Sequence, residues 1–113
     1  MPRDEAILLD IAKAARLALE FAQGLDQDAF LEDLKTQSAV SHQLMVLGEA
    51  VKRLSDEFCT KHPAIPWRQI AGMRDRLIHG YDVVDLDEVW LVLEKDLPEL
   101  LQQLEPLLPK ASA

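Results

Sequence analysis

Apolar residues recur at helical spacing almost throughout this chain, and the tightest run is Val40, Leu44, Leu47, Val51, Leu54 and Phe58, alternating by four and three. That spacing keeps every apolar side chain on one stripe of a helix, whereas a half-buried strand needs alternation by two. No stretch shows strand-like alternation, and no internal repeat or low-complexity tract interrupts the helical pattern. The chain is therefore expected to be all-α, an antiparallel bundle of four to five helices. Ala39, Val46 and Ala50 widen the stripe of the long helix, which serves as core or as a dimer interface.

The remaining helices follow from stripes and caps. The first is expected from about Asp4 to Ala22, with Ile7, Ile11, Ala14, Ala18 and Phe21 on one face and Gly24 as C-terminal stop. Asp26 caps a short second helix, with Leu25 and Phe30 spaced as a hydrophobic staple. Thr36 or Ser38 can cap the long third helix, which should end before His62 and Pro63 because a residue preceding proline is pushed out of helical geometry. Pro66 suits the first turn of a fourth helix that presents Trp67, Ile70, Met73 and Leu77 and closes at Gly80. Asp85 and Glu88 form a capping box for a fifth helix, which Pro98 should bend and Pro106 and Pro109 should end.

A chain of 113 residues makes one domain, read as residues 1–109 with a frayed tail at 110–113. Hydrophobic content of 49% excludes global disorder, and the apolar runs are too short to span a membrane. The acids that follow Met1 do not suit a signal peptide, so a cytoplasmic location is expected. Cys59 is the only cysteine, which excludes an intrachain disulfide and a thiolate metal cluster. The net charge of −8 argues against a duplex-DNA binder that relies on its global field. A local cluster of Arg68, Arg74, Arg76 and His79 can still hold the phosphates of RNA.

The run Arg74-Asp-Arg-Leu-Ile-His79-Gly-Tyr81 carries the chemistry. It joins a guanidinium that grips phosphate, an imidazole that titrates near neutrality and a phenol, which are the parts of phosphate-ester chemistry. At the C-terminal end of a helix, the negative dipole end would favour charged His79. Residues five apart on an ideal helix diverge by about 140°, so Arg74 and His79 do not share one helical face. Either the helix unwinds at Gly80, or a second chain completes the site across a two-fold axis, the arrangement favoured here. Asp75, Asp82, Asp85 and Asp87 could hold Mg²⁺, but capping accounts for Asp85 and the others read as a solvated edge. A purely structural reading stays open, in which His79 caps carbonyls, the arginines pair with acids and Tyr81 anchors the next loop.

The sequence resembles the HEPN superfamily, and within it the HepT type, the toxins of HepT/MntA modules. The resemblance rests on Thr36-Gln-Ser-Ala-Val with Leu47-Gly-Glu-Ala, Ile65-Pro-Trp-Arg, Gly72-Met-Arg-Asp-Arg-Leu-Ile-His-Gly-Tyr81, Val84-Asp-Leu and Lys95-Asp-Leu-Pro98, and it covers nearly the whole chain. It implies an HEPN-type helical bundle that dimerises, and a metal-independent RNA endonuclease with no cofactor. The family's Arg-x4-His-x-Tyr motif falls on Arg74, His79 and Tyr81. By this likeness Arg74 and His79 are catalytic, Arg74 binding the scissile phosphate and His79 moving protons. Tyr81 and the assisting Arg76 bind substrate. The resemblance further implies a type VII toxin–antitoxin system in which an MntA-like nucleotidyltransferase attaches AMP to Tyr81. His42 stands where a more basic residue is expected, and Asp75 where asparagine is usual.

The rival expectation is a non-catalytic helical partner, the substrate subunit of a minimal nucleotidyltransferase. A third is a plain dimerisation module, for which changing His79 and Tyr81 would alter stability alone.

Overall fold

The first helix of the computed structural model, α1, spans Pro2–Phe21, and the structure describes residues 2–79 and 83–109. The expected tail at 110–113 lies outside the described residues, as do residues 80–82. On α1 the buried face holds Ile7, Leu8, Ile11, Ala14, Ala15 and Ala18. Leu8 and Ala15 carry the buried arc round toward Ala22, so Phe21, expected on the stripe, is left 40% exposed at its edge. Gly24 stops the helix with φ +85°, a left-handed conformation that glycine adopts without steric penalty.

Asp26 caps α2 (Gln27–Leu31) by accepting from the Ala29 N–H at 2.8 Å. Phe30 on α2 is fully buried, its ring 5.5 Å from that of Trp90. The long helix α3 runs over Leu34–Lys52 and is capped by Asp33 rather than by Thr36 or Ser38. Thr36 is instead the donor, through its N–H at 3.0 Å and its hydroxyl at 2.8 Å, because it sits three residues beyond the capping carboxylate.

The apolar seam is core. Val40, Leu44, Leu47, Val51 and Leu54 are buried, and Phe58 packs against them half-buried. The helix nevertheless breaks after Lys52. Ser55 caps a separate α4 (Asp56–Lys61), and the seam continues into the core across the break. As expected, α4 ends just before His62 and Pro63.

The single helix expected from Pro66 to Gly80 is two short ones, α5 (Trp67–Ala71) and α6 (Met73–Leu77), broken at Gly72. Pro66 precedes the helix as its cap instead of lying in its first turn. α5 crosses α3 at Gly48, where a Cβ would stand in ordinary contact, 3.4 Å from the Ile70 carbonyl oxygen and 3.5 Å from that of Ala71. The last long element comprises α7 (Leu86–Leu91), a π turn over Val92–Asp96, α8 (Leu97–Leu104) and a 3-10 turn over Glu105–Leu107. Pro98 cannot donate to a carbonyl of the preceding turn, and its ring crowds that turn. The widened turn, in which the Leu97 N–H reaches Val92 O, absorbs the misfit without ending the helix.

α1 packs mainly on α3 and also on α8, α3 carries α5 and α6 on another side, and α2 bridges α3 and α7. The start of α1 meets the end of α3, where Asp4 binds Ser55, so these two helices run antiparallel. The result is an all-α HEPN-type bundle around one cluster of buried apolar side chains. Among the described residues, no helix is long and apolar enough to cross a membrane.

Candidate active site

The motif segment is built on α6. Met73 and Leu77 face the core, which leaves Arg74, Asp75 and Arg76 exposed. The helix stops at Ile78, whose backbone is extended (φ −112°, ψ 113°) and pairs antiparallel with Val84. Two short backbone bonds flank this pair: the His79 N–H donates to Val83 O at 2.7 Å, and the Asp85 N–H donates to Leu77 O at 2.7 Å. Ile78 and Val84, half-buried, pack against the core and anchor the bridge.

His79 therefore stands two residues past the helix, exposed, and not in the last turn of a helix ending at Gly80. Its relation to Arg74 is set by the extended step at Ile78 rather than by helical pitch. Tyr81, expected to bind substrate and accept AMP, lies outside the described residues with Gly80 and Asp82.

The two arginines of α6 face different clefts. Arg74 lies over α3, where with Ser41, Met45 and Ile78 it lines a small cleft of about 10 Å³. Its guanidinium is about half exposed and stands 3.6 Å from the Asp75 carboxylate. Arg76 lines a groove of about 350 Å³ between α5–α6 and the π turn with α8, together with Gln69, Met73, Asp96, Glu99 and Gln103. Residues two apart diverge by about 160° on a helix, which separates the arginines that the sequence suggested as one cluster. Arg68 is exposed on α5.

The other titratable candidates have structural partners. Asp85 caps α7 by accepting from the Glu88 N–H at 3.2 Å, and Asp87 accepts from Gln27 at 3.3 Å. Among the described residues, no three histidine, cysteine, aspartate or glutamate side chains gather into a metal-binding group. His62 ends α4 with its ring 4.5 Å from that of Phe58, and its carbonyl accepts from the Trp67 indole at 2.9 Å. His42 is exposed on α3. Cys59 is half-buried, and burial, then the charges of Asp56 and Asp4, push its thiol pKa up, which disfavours the nucleophilic thiolate. Glu49 is exposed and pairs with Lys52 at 3.3 Å. Sequence reasoning passed over Ser41 and Met45; their spacing of four puts both on one face of α3, but nothing local says that Arg74 packs there.

A family model described as Ribonuclease HepT-like matches residues 11–107. The chain belongs to this family. The matched span of the HepT-like family contains α6, the Ile78–Val84 bridge and the α3 face beneath Arg74. A protein of Thermococcus cleftensis named as a probable ribonuclease HepT is 44% identical over 100 residues, covering 88% of this chain and 91% of its own length. A protein of Methanocaldococcus jannaschii with a provisional RNase name is 36% identical over 110 residues, covering 96% of this chain and 91% of its own. A third, from Caldanaerobacter subterraneus and provisionally named in the same way, is 38% identical over 100 residues, covering 88% and 89%. No solved structure matches the chain at a significant level. The enzyme class to which the motif pointed, a ribonuclease, is the one that the HepT-like family carries.

Proposed function

We propose that this chain is the toxin of a type VII toxin–antitoxin module, a homodimeric and metal-independent RNA endonuclease. The observation that carries the reading is the bridge at Ile78 and Val84, with the 2.7 Å bond from the His79 N–H to Val83 O. It fixes the backbone from which an exposed imidazole projects, just beyond the helix that presents an exposed guanidinium.

In this reading Arg74 binds the scissile phosphate and offsets the charge that grows on the phosphorane. His79 takes the proton of the ribose 2′-OH as its oxygen attacks phosphorus. A second proton-transfer group protonates the leaving 5′-oxygen as the P–O5′ bond breaks, leaving a 2′,3′-cyclic phosphate. One chain offers a single His79, so the second imidazole comes from the other copy in a homodimer. Two imidazoles and the arginines supply base, acid and cation, so the step requires no metal or cofactor. Arg76 assists RNA binding from its adjoining groove, through its charge. Tyr81 accepts AMP from a cognate MntA-like nucleotidyltransferase, which would add bulk and negative charge where RNA phosphate binds. The module acts in the cytoplasm, on cellular RNA.

The test is cleavage of total cellular RNA in EDTA by purified protein shown to be free of AMP, beside His79→Ala at matched folding. Cleavage by the unaltered protein alone, leaving cyclic-phosphate ends, is expected. A non-catalytic partner of a nucleotidyltransferase is the second reading, favoured by the Arg74–Asp75 pair and the net charge of −8, which both oppose RNA capture. Intact RNA in both lanes would select it.

A further inference from the structure

The acids of this chain are unevenly placed. Although 20 of its 113 residues are acidic, none lies between Asp33 and Glu49 and none between Glu57 and Asp75. These two acid-free stretches pack on each other, because α3 carries α5 and α6. A polyanion meets fewer acids on that side, the nearest being Asp75 beside Arg74 and Asp10 and Glu49 near Met45.

Within that region Arg74 and Ser41 line the same small cleft, with Met45 on the adjoining turn of α3. Its volume of about 10 Å³ is at the lower limit for one water molecule and six of its eight lining residues are apolar, so a phosphate would meet Arg74 and Ser41 at its mouth. Ser41 is half-buried, and among the described residues its hydroxyl makes no hydrogen bond to protein. A mid-helix serine ordinarily turns to solvent or back-bonds to its own helix. This hydroxyl keeps access to solvent, and it borders a cleft whose other polar side chain is the Arg74 guanidinium, the rest being apolar.

We infer that the Ser41 hydroxyl is a second ligand for the RNA phosphate held by Arg74, and that the acid-free face of α3 carries the adjoining backbone. The inference rests on the reading of Arg74 as phosphate ligand. Arg74 supplies charge, Ser41 donates one O–H to a phosphate oxygen at the mouth of the cleft, and the Met45 side chain offers an apolar surface to the neighbouring base. Ser41 thus sets where along the strand the phosphate docks.

The test measures binding of a 2′-O-methyl RNA oligonucleotide, which cannot be cleaved, to the full-length protein at several salt concentrations. Ser41→Ala is expected to weaken binding about fivefold to thirtyfold with the salt slope unchanged, since no charge is removed, and Ser41→Thr to restore most of it. Arg74→Ala is expected to weaken binding and to lower the slope by about 0.7. Alanine at position 41 favours the helix, so folding should survive, and circular dichroism verifies it. If Arg74→Ala weakens binding while Ser41→Ala and Ser41→Thr both bind as the unaltered protein does, the Ser41 inference is overturned and the reading of Arg74 stands. If Arg74→Ala also binds unchanged, the phosphate does not dock in this cleft, and both fall.

Discussion

The His79 N–H donates to the Val83 carbonyl at 2.7 Å, and this bond and that of Asp85 to Leu77 flank the Ile78–Val84 pair. The interaction belongs to the backbone, and the imidazole itself is exposed. His79→Ala should therefore keep the bridge and change stability by less than about 0.5 kcal/mol, while RNA cleavage falls by about 10²–10⁴. Urea denaturation beside a cleavage assay checks both halves. A large stability loss would place the histidine in a structural role.

Arg74 and Arg76 line different clefts, so their substitutions should differ in kind. In the proposed mechanism Arg74→Ala removes the cation on the scissile phosphate and should lower cleavage by about 10²–10³. Arg76→Ala should weaken RNA binding by a few-fold, with turnover at saturating RNA nearly unchanged. Steady-state kinetics separates the two, and equal losses in turnover would show that both touch the reacting phosphate.

Asp75 holds a carboxylate 3.6 Å from the Arg74 guanidinium, and both side chains are substantially exposed. If Arg74 binds phosphate as proposed, the carboxylate competes for that cation. Asp75→Asn should tighten RNA binding by about twofold to fivefold, more at low salt than at high, as for an exposed charge pair. Titration of an uncleavable RNA at two salt concentrations reads the effect; unchanged affinity at low salt would show that phosphate does not approach Arg74.

The helical class, the buried seam from Val40 to Leu54, the Gly24 stop and the Asp26 and Asp85 caps were all legible in the sequence, because each depends on neighbours within about one turn. The breaks were not. The apolar period runs unbroken through Leu54 and Phe58, so it concealed the turn at which Ser55 is claimed by Asp4 from another helix. Ile78 leaves α6 because Val84 pairs with it, a partner that helical periodicity does not register. Likewise the motif named Arg74 and His79, but the cleft with Ser41 exists only because α6 lies across α3.

Gly48 illustrates the same crossing. A methyl group there would meet the carbonyl oxygens of Ile70 and Ala71 at 3.4 and 3.5 Å, which is ordinary contact. Gly48→Ala should be tolerated and can gain up to about 1 kcal/mol from the stiffer helix. Gly48→Val drives a branched side chain into backbone and should lose about 1–3 kcal/mol, displacing α5 and with it α6. Denaturant midpoints of the pair read the sign directly. A stable valine variant would mean that α3 and α5 are less closely packed than the geometry requires.

Asp4 and Ser55 tie the start of α1 to the end of α3 through two bonds to one buried carboxylate. The Ser55 N–H donates to it at 3.0 Å and the Ser55 hydroxyl at 2.7 Å. These donors, the backbone N–H foremost, hold the Asp4 carboxyl below its ordinary pKa of 3.8, and the Thr36 N–H and hydroxyl do the same for Asp33. A folded-state pKa below the unfolded one means that the unfolded chain binds protons more readily. The stabilisation from both groups is thus complete above the unfolded carboxylate range and is lost as pH falls through 3.8 toward the lower folded values. Asp4→Asn keeps one acceptor but no charge, so it should be less stable than the unaltered protein at pH 7, and the gap should narrow below about pH 4. Ser55→Ala removes the hydroxyl donor and the α4 cap together and should lose about 1 kcal/mol at pH 7. Urea denaturation of all three proteins at pH 7 and pH 3 tests the pair: a gap between Asp4→Asn and the unaltered protein that stays constant across that range would show that the charge on Asp4 contributes nothing.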